Sequence, residues 1–261
     1  MDSLGSTFEI ENAAVTFGET RALDGVSLSV GAGESLALIG PSGAGKTTLL
    51  RLLNATVRPT SGRVAVNGRD LATFGAAETR ALRGRVAFIH QDYRLLPNLR
   101  VSQNVLAGRL GQMSYLKSIG AMLRPSKTSL NEVYALLERV GIPEKIFERT
   151  DSLSGGQRQR VAIARGLYQQ PRALLADEPV ASVDPARARD TVELLTRIAR
   201  EENLTLCMSL HNIELAREFF PRLVGIRRGQ LAFDKANGEV SDQELSGLYQ
   251  LDQNEMLVDG A

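Results

Sequence analysis

One nine-residue segment limits what this chain can become more than any other: GPSGAGKTT, residues 40–48. It matches the pattern G-x-x-x-x-G-K-[ST]. There the glycines let successive backbone N–H groups face the phosphates of a nucleotide, the lysine reaches the β- and γ-phosphates, and the following hydroxyl reaches Mg²⁺. Gly40, Pro41, Ser42, Gly43, Ala44, Gly45, Lys46, Thr47 and Thr48 are therefore predicted to cradle a triphosphate, Lys46 by its charge and Thr47 through the metal. Such a loop works only between a strand and a helix. ESLALIG runs into it, and KTTLLRLLNA leaves it with Leu49, Leu50, Leu52 and Leu53 at helical spacing. The context predicts an α/β fold.

A second glycine-rich segment, LSGGQRQR at residues 153–160, opens a basic helix. Helix N-termini favour anions, so this is a second candidate phosphate site, more than a hundred residues downstream of the first.

The segments FEIENAAVTF and VSLSV, followed by Gly31 and Gly33, read as short strands separated by turns, an antiparallel beginning. SGRVAVNGRDL reads as a strand with an Asn-Gly turn, and GRVAFIHQ as a buried strand ending on polar residues. From about residue 95 to 170 strand signals disappear. SLNEVYALLERVG instead spaces Leu130, Val133, Leu137 and Val140 along one helical face, with Gly141 and Pro143 stopping it. ALLADEP, LTLCMSL and LVGIRRGQLAF then return as apolar strands around the amphipathic helix DTVELLTRIAREE. No internal repeat is visible, so one nucleotide-binding unit is expected. The final dozen residues, polar in composition, read as a loosely held tail.

Composition excludes several classes. With 43% hydrophobic and 23% charged residues the chain is an ordinary globular one, and no apolar run reaches the length of a membrane span. The first residues, MDSLGSTFEIEN, lack the basic and apolar regions of a secretory signal, so a cytoplasmic protein is expected. Lys plus Arg number 31 against 30 Asp plus Glu, which leaves no basic footprint for nucleic acid; none is expected as a partner. Local basic runs, Arg158 with Arg160 and Arg227 with Arg228, read as solvated charges. The single cysteine, Cys207, lies in the apolar run LTLCMS and reads as a core residue.

Phosphoryl transfer to water needs positioned phosphates, neutralised charge and an oriented water rather than covalent help. An apolar run ending in an acid, Ala173 to Asp177, puts Asp177 at a strand's carboxyl end, where open α/β sheets bind ligands, in a position to serve Mg²⁺. Glu178 points elsewhere because neighbouring strand residues alternate, and it is the candidate to orient or deprotonate the water. An isolated Asp-Glu pair is usually a solvated strand end; beside the glycine loop the functional reading prevails.

Together these residues resemble the ATP-binding subunit of ABC transporters, over residues 8–233. The glycine loop alone leaves kinases and GTPases open. LSGGQ followed by RQRVAIARGL, ahead of LLADEP, is far more specific. The resemblance implies a P-loop NTPase core of ABC type with an antiparallel β subdomain and an inserted α-helical subdomain at about 95–170. It implies one ATPase domain over residues 8–248 and a short tail over 249–261. ATP and Mg²⁺ are the implied cofactors. The implied partner is a second copy, arranged head to tail, so that Ser154, Gly155, Gly156 and Gln157 of one chain cap the γ-phosphate held by Lys46 of the other.

The resemblance also assigns single positions. Gln91 stands where the family has its Q-loop glutamine, touching Mg²⁺ and water; a lone glutamine after a strand is otherwise a surface residue. His211, 33 residues after Glu178, stands at the switch-histidine position, with a structural strand-end histidine as the alternative. A-S-V-D at residues 181–184 stands where the family has S-A-L-D. Asp184 is then the inter-subunit residue, the first-position hydroxyl is absent, and Ser182 has no assigned role. Phe17 takes the aromatic position that stacks on adenine, against the alternative of a core phenylalanine. His90 departs from the family, where an aromatic residue usually precedes the glutamine.

NVLAGRLG, SYLKSIG and SLHNIELAREFFPRLVGIRRGQLAFD are most similar to the ATPases of phosphonate importers, including phosphite relatives. That similarity implies two transmembrane permease subunits, indirectly a substrate-binding protein, and a peripheral location on the cytoplasmic face of the inner membrane. An amino acid importer or a lipoprotein-release or division complex is the alternative within the class. A soluble ABC ATPase acting on DNA or ribosomes, or an inactive ATP-binding scaffold, is the alternative outside it. Met113, Tyr115, Leu116, Ile119, Met122 and Leu123 fall at helical spacing and are expected to form subdomain core, with a partner-docking face as the functional alternative.

Overall fold

The structure is a computed structural model that describes residues 5–180 and 184–249, apart from the side chain of Tyr115. Strand β1 (Phe8–Phe17) pairs antiparallel with β2 (Thr20–Val30) on one side and with β4 (Ser61–Val66) on the other. The two-residue β5 (Arg69–Asp70) follows β4 through Asn67 and Gly68, both at positive φ, as a tight hairpin of matching twist requires. β2 is longer than the sequence predicts: the expected strand VSLSV covers only residues 26–30, yet pairing from Phe17↔Thr20 onward carries the ladder through a shift in register near Gly25. The result is the antiparallel subdomain, in the order β2-β1-β4-β5.

The second sheet holds β3 (Ser35–Ile39), β6 (Val86–Ile89), β7 (Ala173–Asp177), β8 (Thr205–Leu210), β9 (Arg222–Arg227) and β10 (Gln230–Ala236). Its order is β10-β9-β3-β8-β7-β6, all pairs parallel except β10 with β9. Parallel strands are buried on both faces, hence the unbroken apolar runs in the sequence. Alternation still decides which core each residue joins. Leu36, Leu38 and Leu175 face one core, shared with β1, β2, β4 and with Leu49, Leu50, Leu52 and Leu53 of α1 (Lys46–Leu53); Ala37, Ile39, Leu174 and Ala176 face the other. Cys207 is fully buried in the first core, and that burial pushes its thiol up to about 12, so the inert reading holds.

After α2 (Ala76–Arg85) and β6, the chain forms α3 (Val101–Leu106), α4 (Tyr115–Leu123), α5 (Lys127–Arg139) and α6 (Gly155–Tyr168) with no strand until β7. Val133, Leu137 and Val140 are buried as the spacing predicts, and Gly141 ends the helix at φ 76°. The segment after β6 is tied down by a buried polar pair. Asn104 Nδ2 donates to Thr150 Oγ1 at 2.7 Å, Asn104 Oδ1 accepts from Leu96 N at 2.8 Å, and the Thr150 hydroxyl donates to Leu99 O. Every buried polar atom of that pair has a partner, which burial demands. The chain continues through α7 (Pro185–Glu201), α8 (Ile213–Phe219) and α9 (Asp242–Tyr249).

Two expectations are corrected. The stripe around α4 is subdomain core only in part: Met122 is half-buried and packs against the core and Met113 is half-buried, but Leu116 is 80% exposed, Leu123 76% and Ile119 41%. Helical periodicity reports an amphipathic face but not what lies against it, and this helix is too peripheral to cover its own apolar side. The basic runs are not freely solvated either. Arg158, Arg160 and Arg227 donate to the carbonyls of Leu153, Val140 and Gly247, because the long arginine fork reaches carbonyls left over at loop and helix ends.

Candidate nucleotide site

The glycine loop leaves β3 and enters α1 as the sequence requires. Gly40 sits at φ 154°, and a Cβ there would come within 2.1 Å of Ile226 O; Gly45, at φ 109°, would push one to 2.7 Å from Ala22 O. Both positions exclude side chains because neighbouring strands press against the loop. Lys46, almost fully buried, donates to Gly40 O at 2.8 Å and Pro41 O at 3.0 Å and lies 3.5 Å from Glu178 Oε1. Burial lowers its pKa, and the carboxylates of Glu178 and Asp177 act against that shift. Ser42, Gly43, Ala44, Gly45, Lys46, Thr47 and Thr48 line a cleft of about 400 Å³ with Gln91, Glu178 and the β1–β2 hairpin residues Thr20, Arg21 and Ala22.

The sheet order puts β8 beside β7 and β3, and this gathers the acids. Asp177 Oδ1 accepts from Thr47 Oγ1 at 2.9 Å and from Ser209 Oγ at 3.0 Å. Its pKa is raised by burial, with those two hydrogen bonds opposing. Glu178 adopts φ +46°, unusual for a non-glycine residue, which turns its side chain out of the strand toward Lys46 and toward His211 Nε2, 2.6 Å from Oε1. Thr47, Asp177 and Gln91 also border a neighbouring cleft of about 460 Å³ with Arg51, His90, Asp92 and Arg94.

His90 follows β6 with its ring 4.4 Å from that of Phe88, half-buried. Burial first, then Arg94, Arg165 and Arg51 against Asp92, lowers its pKa to about 4. An unfolded histidine takes its proton near pH 6.5. The folded protein therefore loses stability as pH falls from about 6.5 toward about 4 and not above that window. Thermal melting followed across that range should show a shallower decline in His90→Gln than in the unaltered protein; parallel curves would remove His90 as a cause.

The other assigned residues lie apart from this cleft. Ser154 caps α6, its hydroxyl accepting from Gln157 N while Gln157 Oε1 accepts from Ser154 N, and residues 154–157 contribute nothing to the cleft lining. Asp184 caps α7, accepting from Arg187 N at 3.1 Å; Ala181, Ser182 and Val183 lie outside the described residues. Phe17 is 50% exposed at the end of β1, which excludes the core alternative, and its hairpin partner Thr20 borders the cleft.

A family model described as ABC transporter matches residues 23–181. The chain belongs to that family. The ABC transporter cassette is 45% identical over 229 residues to the phosphonates import ATP-binding protein of Alcaligenes faecalis, covering 88% of this chain and 82% of that one. It is 43% identical to the protein of the same name from Pseudomonas putida, over 97% and 93% of the two chains. Against the namesake from Anaeromyxobacter dehalogenans it is 46% identical but spans only 49% of that longer protein. Among solved structures, a nucleotide-free ATP-binding cassette from an ABC transporter matches with TM-score 0.77 at 25% identity, over 96% of this chain and 97% of that chain. A dimeric ATP-binding cassette in a post-hydrolysis state, bound to ADP and Pi, matches with TM-score 0.75 at 26% identity, over 88% and 98%.

Three contacts of the cassette escape sequence reasoning. Ser209 bridges β8 to the acids. Arg165, on the helix that begins at LSGGQ, donates to Tyr93 O and Arg94 O, both at 2.6 Å, and holds these two positive-φ residues after Gln91. Tyr249, at the end of α9, accepts from Gly40 N at 3.2 Å through its hydroxyl. Only Ser209 left a trace in the sequence, as a polar residue near the end of the mostly apolar strand TLCMSL.

Proposed function

We propose that two copies of this cassette bind and hydrolyse two ATP molecules head to tail and drive import of phosphonates through a pair of permease subunits. The observation that carries the reading is that Lys46, Thr47 and Glu178 line one cleft, with Asp177 bonded to Thr47 and His211 to Glu178, while the LSGGQ helix start stands apart from it. Among the described residues no hydrogen bond or ion pair joins the two halves, and a second copy would complete the site. The dimeric cassette bound to ADP and Pi that this fold resembles supports the arrangement.

On ATP binding, Lys46 exchanges its two loop carbonyls for phosphate oxygens, and the loop N–H groups take the β-phosphate. The Thr47 hydroxyl, the Asp177 carboxylate and the Gln91 amide form a hard oxygen set at the cleft, which suits Mg²⁺ held mainly by phosphates. That ion would neutralise charge between the β- and γ-phosphates. Glu178 takes the proton of the attacking water, and His211, in contact with it, binds the γ-phosphate and holds the carboxylate in place. Phe17 stacks on the adenine. Ser154, Gly155, Gly156 and Gln157 of the second copy close over the γ-phosphate, and Asp184 crosses between the copies. One ATPase domain spanning residues 8–248 carries all these parts.

No helix among the described residues is long and apolar enough to cross a membrane. The cassette attaches to the cytoplasmic face of the inner membrane through its permeases, and the exposed Leu116, Ile119 and Leu123 on α4, after Gln91 in the chain, support a docking role there. The cargo rests on the relatives named as phosphonates import proteins. Purified from membranes, the cassette should bring down a multi-span permease, and with its binding protein the complex should be stimulated by methylphosphonate and not by amino acids. Recovery with ribosomes or DNA would sink the transporter reading, and stimulation by an amino acid would sink the cargo.

A further inference from the structure

Ser209 sits directly across from Asp177 in the parallel β7–β8 pairing, fully buried, with its hydroxyl turned along the same side. A serine hydroxyl has one proton to give and lone pairs to receive. Here both capacities are used, and on adjacent residues: the proton goes to Asp177 Oδ1 at 3.0 Å, and the oxygen accepts the backbone N–H of Glu178 at 2.8 Å. The first bond fixes the acid placed on the metal. The second fixes the peptide at which the chain turns into the left-handed region, φ +46°, and sends the Glu178 side chain toward Lys46 and His211.

The geometry is over-determined in a way that packing alone does not require. Asp177 Oδ1 receives two hydroxyl protons, from Thr47 on the phosphate side and from Ser209 on the sheet side, so rotation of the carboxylate breaks both. Glu178 has no strand partner to hold its unusual backbone, because the β7–β8 ladder ends at the pair Asp177↔Ser209. Two residues further along, the same strand leads to His211. One hydroxyl therefore sets the relative position of the metal carboxylate, the water-activating carboxylate and the strand that delivers the histidine.

We propose that Ser209 is a positioning residue of the ATPase site, which orients Asp177 toward the metal and Glu178 toward the attacking water by bridging the two with a single buried hydroxyl. The proposal rests on the ATP-hydrolysing reading of the cleft, and the experiment separates the two. The full-length chain and its Ser209→Ala, Ser209→Thr and Ser209→Cys variants are compared for kcat, KM for ATP, the Mg²⁺ concentration giving half-maximal rate, and ATP binding with and without Mg²⁺. Losing a hydrogen bond to a charged group and stranding an N–H should lower kcat in Ser209→Ala by about tenfold to a hundredfold. The half-maximal Mg²⁺ concentration should rise by about tenfold for the same loss. Metal-free ATP binding should stay within about twofold, since Lys46 and the loop are untouched.

Threonine keeps the hydroxyl and should restore most of the rate. Cysteine keeps the shape but offers only a weak donor, so it should behave like alanine even if alanine itself folds poorly. A lower melting temperature with unchanged kcat and Mg²⁺ dependence in folded Ser209→Ala, or full activity with normal metal dependence in Ser209→Cys, would overturn the proposal. If the unaltered protein hydrolyses no ATP, the functional reading fails by itself. The Mg²⁺-dependent gain in ATP binding then remains the readout: loss of that gain in Ser209→Ala upholds the positioning of Asp177, and its persistence overturns it.

Discussion

Glu178→Gln abolishes turnover, leaves ATP binding intact and accumulates an ATP-bound dimer. Glutamine keeps the length and most hydrogen-bonding geometry of glutamate, so the left-handed backbone at φ +46° and its bond to Ser209 survive. What disappears is the negative charge 3.5 Å from Lys46 Nζ and the oxygen basic enough to take a proton from water. A base of this kind is worth about 10² to 10⁴ in rate, and the loss should fall in kcat with little change in KM. In the proposed head-to-tail cycle closure precedes hydrolysis and reopening follows it, so the blocked enzyme should collect in the closed dimer. Phosphate release measures the first effect, equilibrium nucleotide binding the second, and light scattering with ATP and Mg²⁺ the third. Turnover at the unaltered rate removes Glu178 as the base.

Gly155→Asp should be as severe for turnover and harmless to the fold. A Cβ at Gly155 meets nothing within 4 Å, and the nearest atom to one at Gly156 is 3.8 Å away. These glycines are thus unexplained by packing within one chain, unlike Gly40 and Gly45, which neighbouring strands exclude from carrying a side chain. An aspartate at the start of α6 even favours the helix dipole, so melting temperature should hold or rise slightly. Facing a γ-phosphate across a dimer, the same carboxylate repels it, and turnover should fall by at least about a hundredfold. Lys46→Ala should be as impaired for the complementary reason, losing the positive charge on the phosphates in its own half of the site. Mixed in equal amounts, the two variants form about half heterodimers on random association, each with one complete composite site. Activity in the mixture should therefore rise well above that of either variant alone. Absence of that recovery, with heterodimers present, would refute the head-to-tail site.

Much of the candidate site was legible because its parts are local. GPSGAGKTT needs only a strand before it and a helix after it, and ALLADEP needs only a strand that ends on acid; both contexts are written in neighbouring residues. Helix α5 was legible for the same reason, its buried Val133 and Leu137 following the helical period. The stripe on α4 was misread because periodicity describes one side of a contact only. Ser209, Arg165 and Tyr249 were invisible as participants, since each acts on residues 31 to 209 positions away. No local pattern encodes such a partner.

By itself the sequence determined the candidate groups: a phosphate-loop pattern, an acid pair and a second glycine-rich helix start, each specified by backbone requirements that span a few residues. The tertiary structure decided how these meet. Inserting β8 between β3 and β7 links Thr47, Asp177, Ser209, Glu178 and His211 through hydrogen bonds and an ion pair beside the phosphate loop, while α6 carries its glycines elsewhere. Strand order is fixed by burial of both sheet faces across the whole chain, a sum over many weak contacts that no short stretch of sequence contains.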